Sequence, residues 1–398
     1  MVSNPMTPAK AAAPARGPSI LFVLNPAVGR NSCQVRAQLF QTIFQDHGWK
    51  VDYATWTHEP SRYEADHKNE AIARLAKDYD IVYLIKVPSL RFIRRVQLTS
   101  RARVVFDLND ALWTKNHNAG WRDFNAILRA VDAVFAENEY LARYARARSA
   151  FVRTVPDSIP LERFDALRSG YQAKNGEKII IGWVGSTSTL GALKAIQGPL
   201  EHVFEHHANL ELHILGCSDV NLLPGFRHVR YRIFPDGYDE EVLVRHILGL
   251  DIGLFPPPFD LSEYCARGLL KAVLYMGGGV PCICQRAGDA ERLIQDEING
   301  MLAGTSEEWV EKLEALIISP RLRREIGKGA LETVRAQRAL TPVFAQFEAA
   351  LLELLSSGHR PLLARPSLMI RFFFFEAMVH SYTFVRRLVR KTVYLFRR

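Results

Sequence analysis

Short apolar runs rich in β-branched residues alternate with longer stretches of helical periodicity along the chain. This alternation predicts βα units, in which parallel strands are joined through helices. The pattern runs through the first half and starts again at Lys178. Because 398 residues also exceed the roughly 250 to 300 that one hydrophobic core serves, we expect two facing, doubly wound α/β domains with a cleft between them.

Each half contains five predicted strands. They are residues 20–24, 51–55, 81–85, 104–108 and 133–136, then 178–184, 210–215, 228–233, 252–255 and 280–284. A helix is predicted over residues 33–47, because Val35, Leu39 and Ile43 recur on one face. Ligands of such sheets bind outside the C-terminal ends of the strands, so polar residues at those ends are the candidates for a site.

Local composition and the strand pattern predict the boundaries of the domains and of the segments that flank them. Residues 1–18 are rich in Ala and Pro without the apolar run of a signal peptide, so a disordered lead-in is expected. The first domain is predicted over 19–160, a linker over 161–177, the second domain over 178–340, a closing helix over 341–358 and a basic tail over 359–398. The linker follows from the prolines, glycines and mixed charge of residues 156–176.

Charge is concentrated at the C-terminal end. Residues 359–398 hold nine Arg or Lys and one Glu, a net +8 of the chain's +9, so the other residues carry only +1. A nucleic-acid-binding face on the body is therefore not expected. The five cysteines lack CxxC spacing, which indicates a reducing compartment with neither a disulfide framework nor a zinc site.

Two junctions in the first half are candidates for a ligand site in the cleft. Gly29 and Arg30 follow the first strand, where a glycine turn before a helix favours anionic or oxygen-rich ligands, or simply serves the turn. Asp107, Asp110 and Trp113 follow the fourth strand, and carboxylates with an aromatic ring suit sugar binding and base catalysis. Alternatively, Asp110 or Asn109 caps the next helix. A metal site is less favoured, because Mg²⁺ needs more oxygen ligands than two aspartates supply.

The second half offers residues for an anionic ligand such as a diphosphate. Gly185, Ser186 and Thr187 follow an apolar strand, and their N–H and hydroxyl groups could cradle a diphosphate or merely cap a helix. Arg267 and Lys271 are four residues apart, a spacing that places them on one helical face before the Gly277–Gly279 run. Two such cations could neutralise a leaving diphosphate, or be solvated surface charge.

These segments together resemble the family 4 glycosyltransferases. The matching stretches are 107–113, 138–142, 181–186, 271–281, 287–291, 299–303 and 307–309, in an order that spans residues 19–356. The resemblance implies a GT-B fold, with a nucleotide-sugar donor on the second domain and a glycan or lipid-linked acceptor on the first. It also implies retention of anomeric configuration without a metal. No cofactor is expected, since the nucleotide sugar is a substrate.

The chain departs from the family at three positions. Ala266 and Leu274 stand where the family carries the two acids of its Glu-x7-Glu signature, and Pro160 stands where an Asp is common. Glu263 and Lys271 have the signature spacing, but each lies three residues out of register. We keep Glu263 as a donor-side candidate.

Three functions remain open from the sequence. An active glycosyltransferase is the leading hypothesis, and a catalytically degenerate binding or scaffold protein follows from Ala266 and Leu274. A nucleotide-sugar 2-epimerase of the same fold matches less well.

The tail predicts a membrane-surface anchor. At 100° per residue, its last turns place apolar residues on one side and basic residues on the other. The apolar side holds Met378, Tyr382, Val385, Leu388, Val389, Val393 and Phe396, and the other side holds His380, Arg387, Arg390, Lys391 and Arg398. A helix packed on the first domain or on a second subunit is the alternative. We therefore expect a cytoplasmic protein, peripheral on the inner face of the plasma membrane through contact with anionic lipid.

Overall fold

A computed structural model describes residues 17–57, 62–113, 124–170, 178–217, 225–235, 239–257 and 261–358, with the side chains of 27–31, 62–67, 188, 261 and 263 left out. Its strands form two six-stranded parallel sheets, ordered β2-β1-β3-β4-β5-β6 and β12-β11-β10-β7-β8-β9. The first sheet contains β1 (Ser19–Leu24), β2 (Lys50–Thr55), β3 (Ile81–Ile85), β4 (Arg103–Leu108), β5 (Ala133–Ala136) and β6 (Val152–Thr154). The second contains β7 (Ile179–Val184), β8 (Leu210–Leu215), β9 (Tyr231–Phe234), β10 (Ile252–Phe255), β11 (Cys282–Gln285) and β12 (Met301–Ala303).

Helices connect the strands and cover both sheets. Those of the first half are α1 (Pro26–Arg36), α2 (Gln41–Asp46), α3 (Arg62–Leu75), α4 (Leu90–Thr99), α5 (Phe124–Ala130), α6 (Glu139–Arg146) and α7 (Leu161–Arg168). Those of the second are α8 (Gln197–His206), α9 (Glu240–Leu248), α10 (Leu261–Ala266), α11 (Leu270–Gly277), α12 (Ala290–Leu293), α13 (Ser306–Ile318), α14 (Pro320–Gln337) and α15 (Leu340–Ser356). Short 3₁₀ helices occur at Gln38–Phe40, Ala76–Asp78 and Thr187–Ile196.

The predicted fold class is confirmed: two Rossmann-like domains, each built on a parallel sheet. The central strands are mostly apolar because helices cover both faces of each sheet. Every residue of β3 and β4 is buried, including the charged Arg103 and Asp107. Eight of the twelve strands were predicted with ends correct to within one residue; β9 and β11 are displaced by one to three residues at their ends. Strands β6 and β12 were missed, since each has only three residues.

Two helices differ from expectation. The helix after β1 begins at Pro26, where proline's fixed φ suits the first helical position, and the residues predicted as one helix over 33–47 are divided among α1, a 3₁₀ turn and α2. The linker prediction also missed α7, which buries Leu161 and Phe164 in the core of the second domain. The described part of the predicted linker, residues 161–170, therefore includes a helix packed on the second domain.

Helix α15 follows the second domain in sequence but packs on the first. Phe344 and Phe347 lie among the aromatic side chains of the first sheet and of α2, and their rings are 4.7 and 5.4 Å from the ring of Phe44. Glu348 accepts a hydrogen bond from Trp49 Nε1 at 2.8 Å. The first domain thus takes part of its core from residues some 300 positions away in the chain.

Candidate functional site

Polar residues follow the strands of the first sheet at their C-terminal edge, where the sequence placed the acceptor side. They are Asn25, Lys86, Asn109, Glu137 and Asp157, after β1, β3, β4, β5 and β6. The first four are buried although polar. Burying a polar group lowers the stability of the fold unless the group is hydrogen-bonded. A row of buried polar residues at this edge therefore indicates a candidate site.

Asp107 lies inside the first domain and not on its cleft surface. Its carboxylate is fully buried and accepts hydrogen bonds from Arg36 Nε (3.1 Å), Arg36 Nη2 (2.9 Å) and the Tyr83 hydroxyl (2.6 Å). Arg36 also donates to the Val155 carbonyl at 2.6 Å. Burial opposes the charged form of Arg36 and is the largest influence on it. The combined charges of Asp107, Tyr83, Asp157 and Glu137 outweigh burial and raise the pKa of Arg36 well above its usual value. The prediction that Asp107 lines the cleft is wrong, because Arg36 and Tyr83 occupy its oxygens.

Asp110 does reach the surface of this edge. Its side chain is one-third exposed, at 33%, and forms an ion pair with buried Lys86. Lys86 has a left-handed φ of 57°, which is uncommon for a residue other than glycine. Residues 111–113 form a turn rather than the start of a helix, so the helix-capping alternative has no helix to cap there. A chemical role for Asp110 stays a prediction.

Trp113 packs against α6. Its ring is stacked on Tyr144, with centroids 3.6 Å apart, and lies 6.4 Å from the half-exposed Tyr140. Arg148 covers the Tyr144 ring at 3.6 Å. The aromatic group therefore lies beside the predicted acceptor region, although one face of Trp113 is already covered by protein.

Gly29 and Arg30 lie within the first half of α1, and their side chains are not described. The predicted glycine turn at this junction is therefore wrong: Gly29 is helical, and the chain enters the helix directly at Pro26. What the Arg30 side chain contacts stays open.

The structure brings together donor-side candidates from two segments that are about 80 positions apart in the sequence. Lys271 Nζ lies 3.3 Å from Thr189 Oγ1 and 4.8 Å from the centre of the Trp183 ring. A Cβ on Gly185 would come within 2.8 Å of Lys271 Nζ, so glycine keeps this approach open. Burial, and then the charge of Arg267, lower the pKa of Lys271 to about 7. The lysine is thus a poorly hydrated cation at the C-terminal edge of the second sheet.

Ser186 and Thr187 lie at the start of the 3₁₀ segment that follows β7. Ser186 makes no capping hydrogen bond through its side chain, and Thr187 Oγ1 lies 3.4 Å from Cys217 Sγ. The capping alternative for Ser186 is therefore not observed. Thr189, which the sequence did not single out, makes the contact with Lys271.

Arg267 and Lys271 do not share a helix. Helix α10 ends at Ala266 and α11 begins at Leu270, so Arg267 lies in the connection between them. The predicted single helical face is wrong, but the electrostatic coupling of the two cations is retained. Glu263 lies in α10, and its side chain is outside the described part of the chain.

The two positions that lack the family acids are apolar contacts. Ala266 is 1% exposed and packs with the core of the first domain, while Leu274 packs on the core of the second. Ala266 therefore helps to join the domains.

Sequence reasoning did not identify Glu137 and Asn138 as functional candidates. Asn138 Nδ2 donates to the carbonyl oxygens of Cys265 and Arg267, each at 3.2 Å, across the two domains. Two polar residues directly after the apolar strand β5 were the available signal.

Within the described ranges, no helix is long and apolar enough to cross a membrane. Among the same residues, no group of three or more His, Cys, Asp or Glu could hold a metal ion.

No model of a known family matches the chain, and no curated protein matches it. Solved structures do match. A sucrose-phosphate synthase of Thermosynechococcus elongatus has a TM-score of 0.63 at 16% identity, covering 86% of this chain and 100% of that one. A glycosyltransferase of Rickettsia africae has a TM-score of 0.62 at 13% identity, covering 86% and 99%. HepE of Anabaena, in complex with UDP, has a TM-score of 0.58 at 15% identity, covering 85% and 100%. The arrangement of two Rossmann-like domains is that of these structures, and the chain has the GT-B fold.

Proposed function

We propose that this protein is a glycosyltransferase that moves a sugar from a nucleotide-sugar donor to a glycan or lipid-linked acceptor. The observation that carries the proposal is the half-buried Lys271 beside Gly185 and Thr189 at the C-terminal edge of the second sheet. A cation with little solvent around it, next to a strand end with a glycine and hydroxyl groups, suits a diphosphate. HepE has been solved with UDP and with UDP-glucose, which supports this ligand class.

In the proposed reaction, the bond between the anomeric carbon and the diphosphate breaks, and a bond to the acceptor oxygen forms. Negative charge grows on the leaving diphosphate, where Lys271 and Arg267 would stabilise it. The acceptor hydroxyl loses its proton, and Asp110 is the candidate to orient or accept it, because Asp107 is enclosed by Arg36 and Tyr83. We propose retention of configuration without a metal, on the family resemblance alone.

The alternative is a binding or scaffold protein without turnover. Ala266 and Leu274 favour it, since both acids of the family signature are replaced by apolar packing residues. The two functions predict different outcomes with the same ligands.

Titration calorimetry with a panel of nucleotide sugars, followed by assays for transfer and for donor hydrolysis, tests the proposal. We expect one donor to bind and to be consumed. Binding without consumption of any donor would support the scaffold function, and the absence of binding across the panel would contradict both.

We also propose that residues 359–398 attach the protein to an anionic cytoplasmic membrane surface. The tail lies outside the described residues, but its starting point is fixed: α15 ends on the first domain, where Arg103 donates to the Ser357 carbonyl. The tail therefore leaves from the first domain at the N-terminal edge of its sheet, opposite the edge that carries the candidate acceptor residues. Co-sedimentation with anionic vesicles at low salt should fall strongly when 359–398 are removed, and equal sedimentation of both forms would contradict the proposal.

A further inference from the structure

The turn between α10 and α11 is held by the first domain, although both helices follow strands of the second. Asn138, two residues after β5, donates from Nδ2 to the carbonyl oxygens of Cys265 and Arg267, each at 3.2 Å. Its Oδ1 accepts from Leu141 N at 3.0 Å and caps α6. One side chain thus joins the N-terminal end of α6 to the C-terminal end of α10.

Both ends of the Asn138 amide have partners. An asparagine side chain carries two N–H hydrogens and one carbonyl oxygen, and the two hydrogens serve the second domain while the oxygen serves α6. Exchanging its nitrogen and oxygen would set the nitrogen against the Leu141 N–H and the oxygen against two carbonyls. The residue is 2% exposed, so water does not replace a lost partner. Capping alone would accept serine or aspartate equally well, whereas the bridge requires an amide.

The residues next to these two carbonyls also contact the first domain. Ala266, which lies between them, is 1% exposed and packs in the core of the first domain. Gly268 lies so close to the Glu137 carboxyl that a methyl group on it would be 1.2 Å from Oε1. Each residue from 265 to 268 therefore contacts the first domain through its backbone or its side chain.

Lys271 is held by the other domain. It lies in α11, where its neighbours Ala272 and Val273 are buried in the core of the second domain. Its Nζ contacts Thr189 Oγ1 of the same domain at 3.3 Å. Burial, and then the charge of Arg267, lower the pKa of Lys271 to about 7, so the two cations act on each other. The two candidate cations for a diphosphate are thus placed by different domains.

We propose that Asn138 is a positioning residue for the donor side: it fixes the backbone of Arg267 on the first domain, so that this domain sets where Arg267 lies relative to Lys271. The importance of Arg267 for a donor rests on the proposed function, whereas the attachment of the turn does not. Asn138 acts through Arg267 and needs no contact with substrate.

Asn138→Asp separates the bridge from the cap. Aspartate caps a helix as well as asparagine does, but its second oxygen would face two carbonyls, which can only accept hydrogen bonds. Asn138→Ser makes the same separation without a new charge, because a hydroxyl can cap α6 but cannot bridge to two carbonyls. We expect both variants to keep α6 and to release the turn.

Hydrogen exchange at two amides measures these effects in the full-length protein without any nucleotide. The Arg267 amide donates to the Tyr264 carbonyl at 3.1 Å and reports on the turn, and the Leu141 amide reports on the cap. Corrected for intrinsic rates, exchange at Arg267 should rise roughly tenfold in Asn138→Ser, as for the loss of two ordinary hydrogen bonds. It should rise further in Asn138→Asp. Exchange at Leu141 should change by less than about threefold.

Ser319→Ala is the matched control. Ser319 caps α14 by accepting from Leu322 N at 3.1 Å, so this variant loses a cap but keeps the Asn138 bridge, and both reporter amides should exchange as in the wild type. Wild-type exchange at Arg267 in Asn138→Asp and Asn138→Ser would overturn the proposal, as would equal increases at Leu141 and Arg267. Far-UV circular dichroism confirms folding, and if Asn138→Asp fails to fold, Asn138→Ser decides.

A double-mutant cycle tests the link to the donor. With the donor found by the calorimetric panel, Asn138→Ser should lower kcat/KM roughly tenfold in the protein that carries Arg267. In the Arg267→Ala background it should have little effect, because the residue through which it acts is gone. Equal losses in both backgrounds would overturn the role of Asn138 toward the donor. Failure of every nucleotide sugar to bind would instead contradict the proposed function, and the exchange rates would still decide whether Asn138 holds the turn.

Discussion

Replacing Arg36 with Met should lower the free energy of unfolding by about 3 to 5 kcal/mol, the range found when one partner of a buried ion pair is removed. Asp107 would remain fully buried with only the Tyr83 hydroxyl as a partner. The carbonyl of Val155 would also lose its donor. Urea unfolding followed by tryptophan fluorescence measures the change.

Arg74→Met is the control for this substitution. Arg74 pairs with Glu70 on the surface of α3, and its side chain is 68% exposed, so the change should stay within about 0.5 kcal/mol. The double variant Arg36→Met/Asp107→Leu should recover much of the lost stability, since replacing both partners of a buried pair by apolar residues is often close to neutral. Equal stability of Arg36→Met and Arg74→Met would contradict the structural role assigned to the Arg36–Asp107 pair.

Replacing Arg267 and Lys271 together with Ala should lower kcat/KM for an established donor by tens-fold or more, on the order of 2 kcal/mol or above for lost charge-assisted hydrogen bonds. We expect Lys271 to supply the larger part, because its ammonium group lies beside Gly185 and Thr189 at the strand end. Steady-state kinetics with the donor varied measure the effect. Lys194→Ala, an exposed lysine in the 3₁₀ segment after β7, should leave the kinetics unchanged. Unchanged kinetics in the double variant would contradict the donor-side assignment.

The same lysine links donor binding to pH. Its pKa is lowered to about 7 in the free protein, and a bound diphosphate would raise it. Binding above that pH should therefore take up a proton and weaken as the pH rises, by at most about tenfold per pH unit. Calorimetry in two buffers of different ionisation enthalpy detects the uptake, and Lys271→Arg, whose charge does not titrate there, should abolish it.

The fold was predictable because a parallel α/β domain leaves two signals in its sequence. One is the apolar run of each buried strand, and the other is the 3.6-residue periodicity of the helices between the strands. Strands such as Ile81–Ile85 are buried on both faces, so an uninterrupted apolar run marks them. Strands Val152–Thr154 and Met301–Ala303 are too short for such a run, and only pairing with β5 and β11 defines them.

The site was less predictable, because the environment of a polar side chain depends on distant residues. Asp107 and Asp110 look alike in the sequence, yet Arg36, 71 positions away, encloses the first and leaves the second at the surface. Likewise, the prediction that Arg267 and Lys271 share one helical face was wrong. The chain breaks between α10 and α11 at a point that no proline marks. Lys271 was found through its spacing from Arg267 before the Gly277–Gly279 run, whereas its contact with Thr189 was not predicted.

The packing of α15 on the first domain sets an order for biosynthesis. Domains emerging from the ribosome commonly fold from the N-terminus onward, but here the aromatic surface around Phe44 stays uncovered until Phe344 and Phe347 have been made. The core of the N-terminal domain therefore stays incomplete until the whole second domain has been synthesised. A fragment that ends at the linker would keep that aromatic surface exposed permanently. A chain shortened within α15 would lose stability first in the N-terminal domain, which is the domain farther from the truncation in sequence.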